Sequence, residues 1–409
     1  MAYALKGACV FAQSGGPTAV INASAYGVIK TALESADITA VYGASHGITG
    51  ILSDTLYDME KEDADELKLL MNTPSSALGS CRYKLKGNDD LNRILELFRK
   101  RNIRYFFYNG GNDSMDTCQK INDFLTANDY ECRVIGVPKT IDNDLLGTDH
   151  CPGYGSAAKY IATTVAEVYR DAIVYDTGMV TIIEIMGRHA GWLTGAAALA
   201  SLTGSPPDLV YLPEIPFDTE VFIRDVEKIY KEKNNCLVAV SEGIKSPDGG
   251  FVSEANISKT DGFGHAQLGG LAVRLANLIK MVTGVKVRGI ELSLLQRCGA
   301  HLASQTDINE AFIAGRSAVE FALSGGTGKM VAFDRKDVND AYNCEVIYQP
   351  LSLIANAEKK VPREWINDAG TNVNQEFINY ALPLILGENE RILENGLPRF
   401  ARLQKIKVT

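Results

Sequence analysis

Within the first 145 residues, three short apolar runs each break into a polar loop rich in Gly, Asp, Asn or Ser. ACVFAQ (8–13) runs into SGGPT, after which Ile21, Ala25, Val28, Ile29 and Leu33 form a stripe of helical period. YFFYN (105–109) runs into GGNDS, followed by Met115, Cys118, Ile121 and Phe124 on one face. CRVIGV (132–137) runs into PKTIDND. Strand-length runs alternating with helical segments dictate α/β layering around parallel strands. In a parallel sheet the loops that follow the strands meet at one edge, where ligands bind. The convergence of these three loops is the first functional inference.

The second half continues in the same manner. MVTIIEI (179–185), DLVYLP (208–213), CLVAVSEG (236–243) and VKVRGIEL (285–292) read as strands, and 191–203 and 265–283 as long helices. The expected fold is α/β, two doubly wound, mostly parallel domains with a C-terminal extension. One domain takes residues 1–150 plus about 298–336, the other 151–297, and the extension 337–409 packs on both. With 409 residues, 46% hydrophobic, the chain can bury cores for two domains.

Composition narrows the function classes. No apolar run approaches the roughly 18–20 residues of a membrane span, and MAYALKGACVFAQ lacks a secretory pattern and reads as the first strand. The eight cysteines are scattered without a CxxC pair or a Cys/His cluster. Reduced thiols in a cytoplasmic protein are expected, with neither a disulfide framework nor a zinc site. A net charge of −9 without a long basic block argues against nucleic acid and anionic membranes as partners. Two motifs mislead. GYGSAA (153–158) fits a dinucleotide fingerprint loosely but follows DHCP, which is no core strand. SGGTGKM (324–330) has Met330 where a P-loop needs Ser or Thr, and Leu323 where it needs the first Gly.

PKTIDND carries more charge than a turn requires. Lys139 offers a point charge to a phosphate. Asp142 can accept a hydroxyl proton as that oxygen attacks phosphorus. In GGNDS the paired glycines, Gly110 and Gly111, let a backbone approach a ligand, and the helix that follows offers free N–H groups. Ser114 or Asp113 serves equally well as a simple N-cap. MGRH places Arg188 after one strand, SEG places Glu242 after another, RGIELSLLQR carries Arg288 and Arg297, and GSCRYK adds Arg82 after a turn. Each arginine alone is as readily a surface or ion-pair residue. Together with a lysine and acidic loops they match a reaction between two phosphorylated molecules.

In this order and spacing, SGGPTAVINA, GGNDS, PKTIDND, MGRHAGWL, SEG and RGIELSLLQR resemble the phosphofructokinase family over roughly residues 7–335. The resemblance implies two α/β domains with the active site between them, transferring a phosphoryl group to the 1-hydroxyl of fructose 6-phosphate. By that resemblance Asp142 is the general base, with Asp144 as its acidic companion. Thr140 donates to the transferred group. Met186, Gly187 and Arg188 contact the sugar phosphate and transition state, and Glu242 holds a sugar hydroxyl. Arg288 and Arg297 clamp the 6-phosphate, and Gly16, Arg82 and Gly111 lie near the donor.

ATP-using members resemble GGDGS and PGTIDND, whereas this chain has GGNDS and PKTIDND, the pattern of the pyrophosphate-dependent branch. Asp113 would fill and repel the space of an ATP α-phosphate, and Lys139 would hold a diphosphate that has no adenosine to anchor it. Three positions depart from the family. Asn112 stands where an Asp helps hold Mg2+, Leu294 where many relatives have His or Tyr, and Met179 where bacterial ATP enzymes have an arginine reaching across the subunit interface. The resemblance further implies Mg2+ as cofactor, fructose 6-phosphate and diphosphate as small-molecule substrates, and a homo-oligomer, dimer or tetramer. Sedoheptulose 7-phosphate is a second candidate acceptor. The alternatives are an ATP-dependent enzyme with an unusual donor loop and a non-catalytic regulatory subunit. Such a subunit would be expected to lack Asp142 or Lys139.

Overall fold

The two sheets are built from strands that are, in chain order, β1 (Gly7–Gln13), β2 (Ile38–Ala44), β3 (Leu56–Asp58), β4 (Ile103–Gly110), β5 (Arg133–Pro138), β6 (Met179–Ile185), β7 (Leu209–Tyr211), β8 (Asn235–Ser241), β9 (Val287–Glu291), β10 (Lys329–Arg335) and β11 (Cys344–Pro350). The structure, a computed structural model, describes residues 5–174, 176–253, 268–338, 341–355 and 357–409. One sheet runs β11-β10-β5-β4-β1-β2-β3 and the other β7-β8-β6-β9. In these two sheets pairing is parallel except at the two edges of the larger one, where β3 and β11 run antiparallel, and a third, two-stranded antiparallel sheet pairs Leu393–Glu394 with Leu397–Pro398. Every residue of β1 and of β6 is buried, as in parallel strands covered on both faces, which are mostly apolar; the polar exceptions are Gln13, Thr181 and Glu184.

The order of the larger sheet fixes where a ligand can bind. From β1 the chain passes to β2 on one side and later to β4 on the other, so the order reverses between β1 and β4. The crevice beyond their carboxyl ends is the expected binding position. In the smaller sheet β6 and β8 are neighbours in full register, Ile185 opposite Ser241. The loops MGRH and SEG therefore leave the sheet side by side. The helix Gln305–Leu323 returns the chain to the first sheet by close packing on the helix Ile21–Leu33. A Cβ at Gly27 would lie 2.2 Å from the carbonyl oxygen of Phe312, and one at Gly315 would lie 2.1 Å from that of Ser24.

Several boundaries differ from the sequence reading. The stretch 191–203 is one α turn, Trp192–Gly195, continuing as a 3-10 helix over Ala196–Thr203. Gly195 lies against Phe377, whose ring would be 2.6 Å from an added Cβ. The helix expected from 265 starts at Leu271, after Gly269 and Gly270 with φ of 154° and 80°; residues 265–267 lie outside those described. Strand β9 is shorter than 285–292. The segment expected as an extension from 337 is not merely appended, since β11 pairs with β10 along its whole length, Lys329 opposite Pro350 through Arg335 opposite Cys344. Farther on, Phe377, Tyr380, Ala381 and Leu384 join the core around Trp192, and the end of the chain returns to β3 through Asp58 N–H to Ile406 O at 2.9 Å. Among the described residues no helix is long and apolar enough to cross a membrane.

Candidate active site

Strand β5 ends on Pro138, which lacks an N–H and cannot extend the ladder. The Lys139 N–H still donates to Gly110 O at 3.0 Å, tying the loop after β5 to the loop after β4. Thr140 N–H donates to Pro152 O at 3.2 Å, and its hydroxyl oxygen accepts the Asp142 N–H at 3.1 Å. The turn closes at Asn143, with φ of 56°. Asn tolerates this left-handed conformation better than most residues. Asp142 and Asp144 thus flank a single inward-facing residue.

The Lys139 side chain is 3% exposed, and its Nζ donates to Gly16 O at 2.7 Å. Burial lowers its pKa to about 8. Arg82 and Arg297 add to the shift, while Asp142 and Asp144 oppose it. Gly15, with φ of 73°, leaves room for the ammonium group, since a Cβ there would lie 3.2 Å from Nζ. A Cβ at Gly16 would meet Arg297 Nη1 at 3.1 Å and Arg82 Nη2 at 3.6 Å, so both guanidinium groups converge on this loop. The helix Asn112–Ala127 begins at the same place and brings Asp113, whose Oδ1 is 3.6 Å from Lys84 Nζ.

These groups surround a cleft of about 490 Å3. It is lined by Gly15, Gly16, Arg82, Lys84, residues 111–114, Lys139, Thr140, Asp142, Asp144, Ala357 and Glu358. It opens where the sheet order reverses. Among the described residues the loops of the smaller sheet do not line this cleft, but they bring Arg188 and Glu242 close enough to act on the charge of Asp142. Glu242 N–H donates to Ile185 O at 2.9 Å, Gly187 N–H reaches Glu242 Oε1 at 3.4 Å, and Ser241 Oγ donates to Gly187 O at 2.5 Å. Gly187 takes φ of 134°, and a Cβ there would lie 2.8 Å from Ala190 O. Met186 N–H donates to Gln296 Oε1 at 3.2 Å, which fixes the residue beside Arg297.

Asp142 lies where these elements meet. Burial raises its pKa, against the pull of Lys139, Arg188, Arg82 and Arg297. Burial, with Asp142 and Glu358 adding to it, carries Asp144 to about 7. Glu242 also rises to about 7 through burial and its proximity to Asp142. A carboxylate poised to take a proton, encircled by one lysine and three arginines, suits attack of a hydroxyl on a phosphoryl group.

Two amide orientations compete at Asn112. In one, Nδ2 donates weakly to Asp144 Oδ2 at 3.4 Å. In the other it donates to Ile354 O at 3.2 Å and Ala357 O at 3.1 Å. The second makes two better bonds and is favoured. It turns the amide oxygen toward Asp144, an arrangement that a proton or a cation between them would stabilise.

Not every residue singled out from the sequence reaches this cleft. Arg288 sits near the start of β9 opposite Thr181 and lines a separate hollow of about 430 Å3 with Glu167, Asp171 and Met179. Leu294 is 55% exposed. Conversely, Lys84, Ala357 and Glu358 line the cleft without having been anticipated. Lys84 stands two residues beyond Arg82 and had a local signal. The other two come from a segment more than 200 residues away from Asp144 and had none.

Residues 8–322 match the family described as Phosphofructokinase. The chain is 44% identical over 406 residues to a pyrophosphate--fructose 6-phosphate 1-phosphotransferase of Halomonas elongata, covering 97% of this chain and 96% of that protein. Its fold superposes on a pyrophosphate-dependent phosphofructokinase from Nitrosospira multiformis with a TM-score of 0.91 at 39% identity, covering 99% and 98% of the two chains. A second such structure, from Marinobacter aquaeolei, gives a TM-score of 0.89 at 40% identity, covering 99% of this chain and 98% of that one.

Proposed function

This chain belongs to the phosphofructokinase family, and we infer that it is the pyrophosphate-dependent enzyme, moving a phosphoryl group reversibly between diphosphate and the 1-hydroxyl of fructose 6-phosphate. The observation that carries this reading is the donor end of the cleft. The buried ammonium of Lys139 is clamped to Gly16, and Asp113 faces the same space from the start of a helix. A diphosphate gains a cation there, whereas the α-phosphate of a nucleotide would meet a carboxylate.

Asp142 takes the proton of the 1-hydroxyl as that oxygen bonds to the terminal phosphorus. The bridging P–O bond breaks and inorganic phosphate leaves. Lys139 and Arg188 offset the charge that develops on the transferred group. Thr140 donates to that group, and Arg82 holds the donor beside Gly16 and Gly111. Arg297, standing next to Arg82, reaches from the donor loop toward the 6-phosphate. Met186, Gly187 and Glu242 form the sugar side.

Mg2+ fits the oxygen donors present. Asp144, the amide oxygen of Asn112 and Glu358 border one end of the cleft, and hard cations take such ligands. When bound, the ion would neutralise phosphate oxygens. Glu358 would thereby replace the charge that Asn112 lacks.

We further propose a homo-oligomer, in which Arg288, remote from Asp142 in its own chain, is presented to a neighbouring copy. A cytoplasmic location suits the cysteines, all eight of which carry free thiols. Phosphorus NMR of the protein with fructose 6-phosphate, diphosphate and Mg2+ tests the reaction. Fructose 1,6-bisphosphate and phosphate should appear in equal amounts, and the reverse mixture should regenerate diphosphate. Diphosphate that stays intact, or breaks down to phosphate alone, would refute the assignment.

A further inference from the structure

Asn143, the residue between the two catalytic-loop aspartates, is wholly buried and faces away from the cleft. Its Oδ1 accepts the Cys151 N–H at 3.0 Å, and its Nδ2 donates to the Tyr380 hydroxyl at 2.7 Å. That hydroxyl in turn donates to Asp149 O at 2.8 Å. The same carbonyl accepts a bond from Lys359 Nζ, and the Lys359 N–H donates to Asp144 O at 2.7 Å. The Tyr380 ring is set by Trp192 and Trp365, at centroid distances of 5.1 and 5.2 Å. The Trp192 indole N–H donates to Lys359 O at 3.0 Å. Tyr380 and Lys359 both lie beyond residue 322, where the family match ends.

A left-handed residue between two functional carboxylates needs its conformation held from outside, because a flip of Asn143 would redirect both neighbours. We propose that Tyr380, through the amide of Asn143, is a positioning residue for Asp142. The C-terminal segment is on this account a working part of the catalytic loop, which it grips at Asn143 and at Asp144. The inference rests on Asp142 being the base and deepens that reading.

Tyr380→Phe removes one oxygen and keeps the ring. It should lower kcat by about 10- to 100-fold while the KM values of both substrates stay within about threefold, the signature of a misplaced base rather than lost binding. Asn143→Gly, which tolerates the positive φ but has no amide, should show the same split and should serve if the Phe variant folds poorly. The double variant should be no slower than the slower single variant, because the two groups act through one bond. Wild-type kcat in both single variants, or multiplicative losses in the double, would overturn the proposal. So would KM values that rise in step with the fall in kcat. Rates are read with whichever donor the wild-type protein uses. A wild type that ignores diphosphate would therefore sink the donor reading and leave this test intact.

Discussion

The ammonium nitrogen of Lys139 lies 2.7 Å from the carbonyl oxygen of Gly16. A cation placed after β5 is thus fastened to the loop after β1, across the end of β4. Its burial and its closeness to Arg82 and Arg297 make it a fixed part of the cleft wall rather than a mobile surface lysine.

Removing that charge should disable the use of diphosphate. Lys139→Met should reduce kcat/KM for diphosphate by about 10²–10³-fold, the scale seen when one preorganised donor to a transition state is lost. Pairing Lys139→Gly with Asp113→Gly should raise turnover with ATP above that of the wild type. Initial rates with each donor check this; an unchanged donor preference in the double variant would show that these two residues do not select the donor.

Asp142→Ser should lower kcat by about 10²–10⁴-fold, the usual contribution of a positioned base. Both KM values should change far less, because the surrounding lysine and arginines still bind the phosphates. Steady-state kinetics decide it, and near-normal turnover would remove Asp142 from the role.

The fold was legible in the sequence where local pattern determined structure. The runs ending at Gln13, Asn109 and Val137 are central parallel strands, and continuous apolar residues state that directly. The loops after them meet in one cleft because parallel sheets have only one carboxyl edge. Arg288 lies apart from the cleft of its own chain for a geometric reason. It is nine residues from Arg297, but a strand and the turns after it separate them, so the two face different hollows. Tyr380, Lys359 and Glu358 were invisible, since contacts spanning more than 200 residues leave no trace in a local pattern. The Ala-rich stretch 191–203 had helical propensity, but tertiary packing against Phe377 overrode its regular continuation.

Protonation should couple to stability through Asp144 and Glu242. Their folded pKa values, both about 7, exceed their ordinary values of 3.8 and 4.5. The fold therefore favours the protonated forms. The stability they contribute is complete below about pH 4 and is lost as pH rises through about 7. Thermal unfolding of the ligand-free protein should show a declining Tm over this window. Asp144→Asn and Glu242→Gln should each flatten the decline, and a slope unchanged in both would contradict the assignment.

Glu358→Gln tests the cation end of the cleft. Removing one carboxylate should raise the Mg2+ concentration for half-maximal rate by about 3- to 10-fold, since ligand charge sets the affinity of such sites. Titration with Mn2+ followed by its paramagnetic resonance should show the same weakening without turnover. Identical affinities in variant and wild type would place the ion elsewhere.

The central claim is tested most directly by initial rates of fructose 1,6-bisphosphate formation from fructose 6-phosphate and Mg2+, with diphosphate or ATP as donor. The account predicts turnover with diphosphate and little with ATP. Turnover with ATP alone would leave the fold and the base in place but contradict the reading of Lys139 and Asp113.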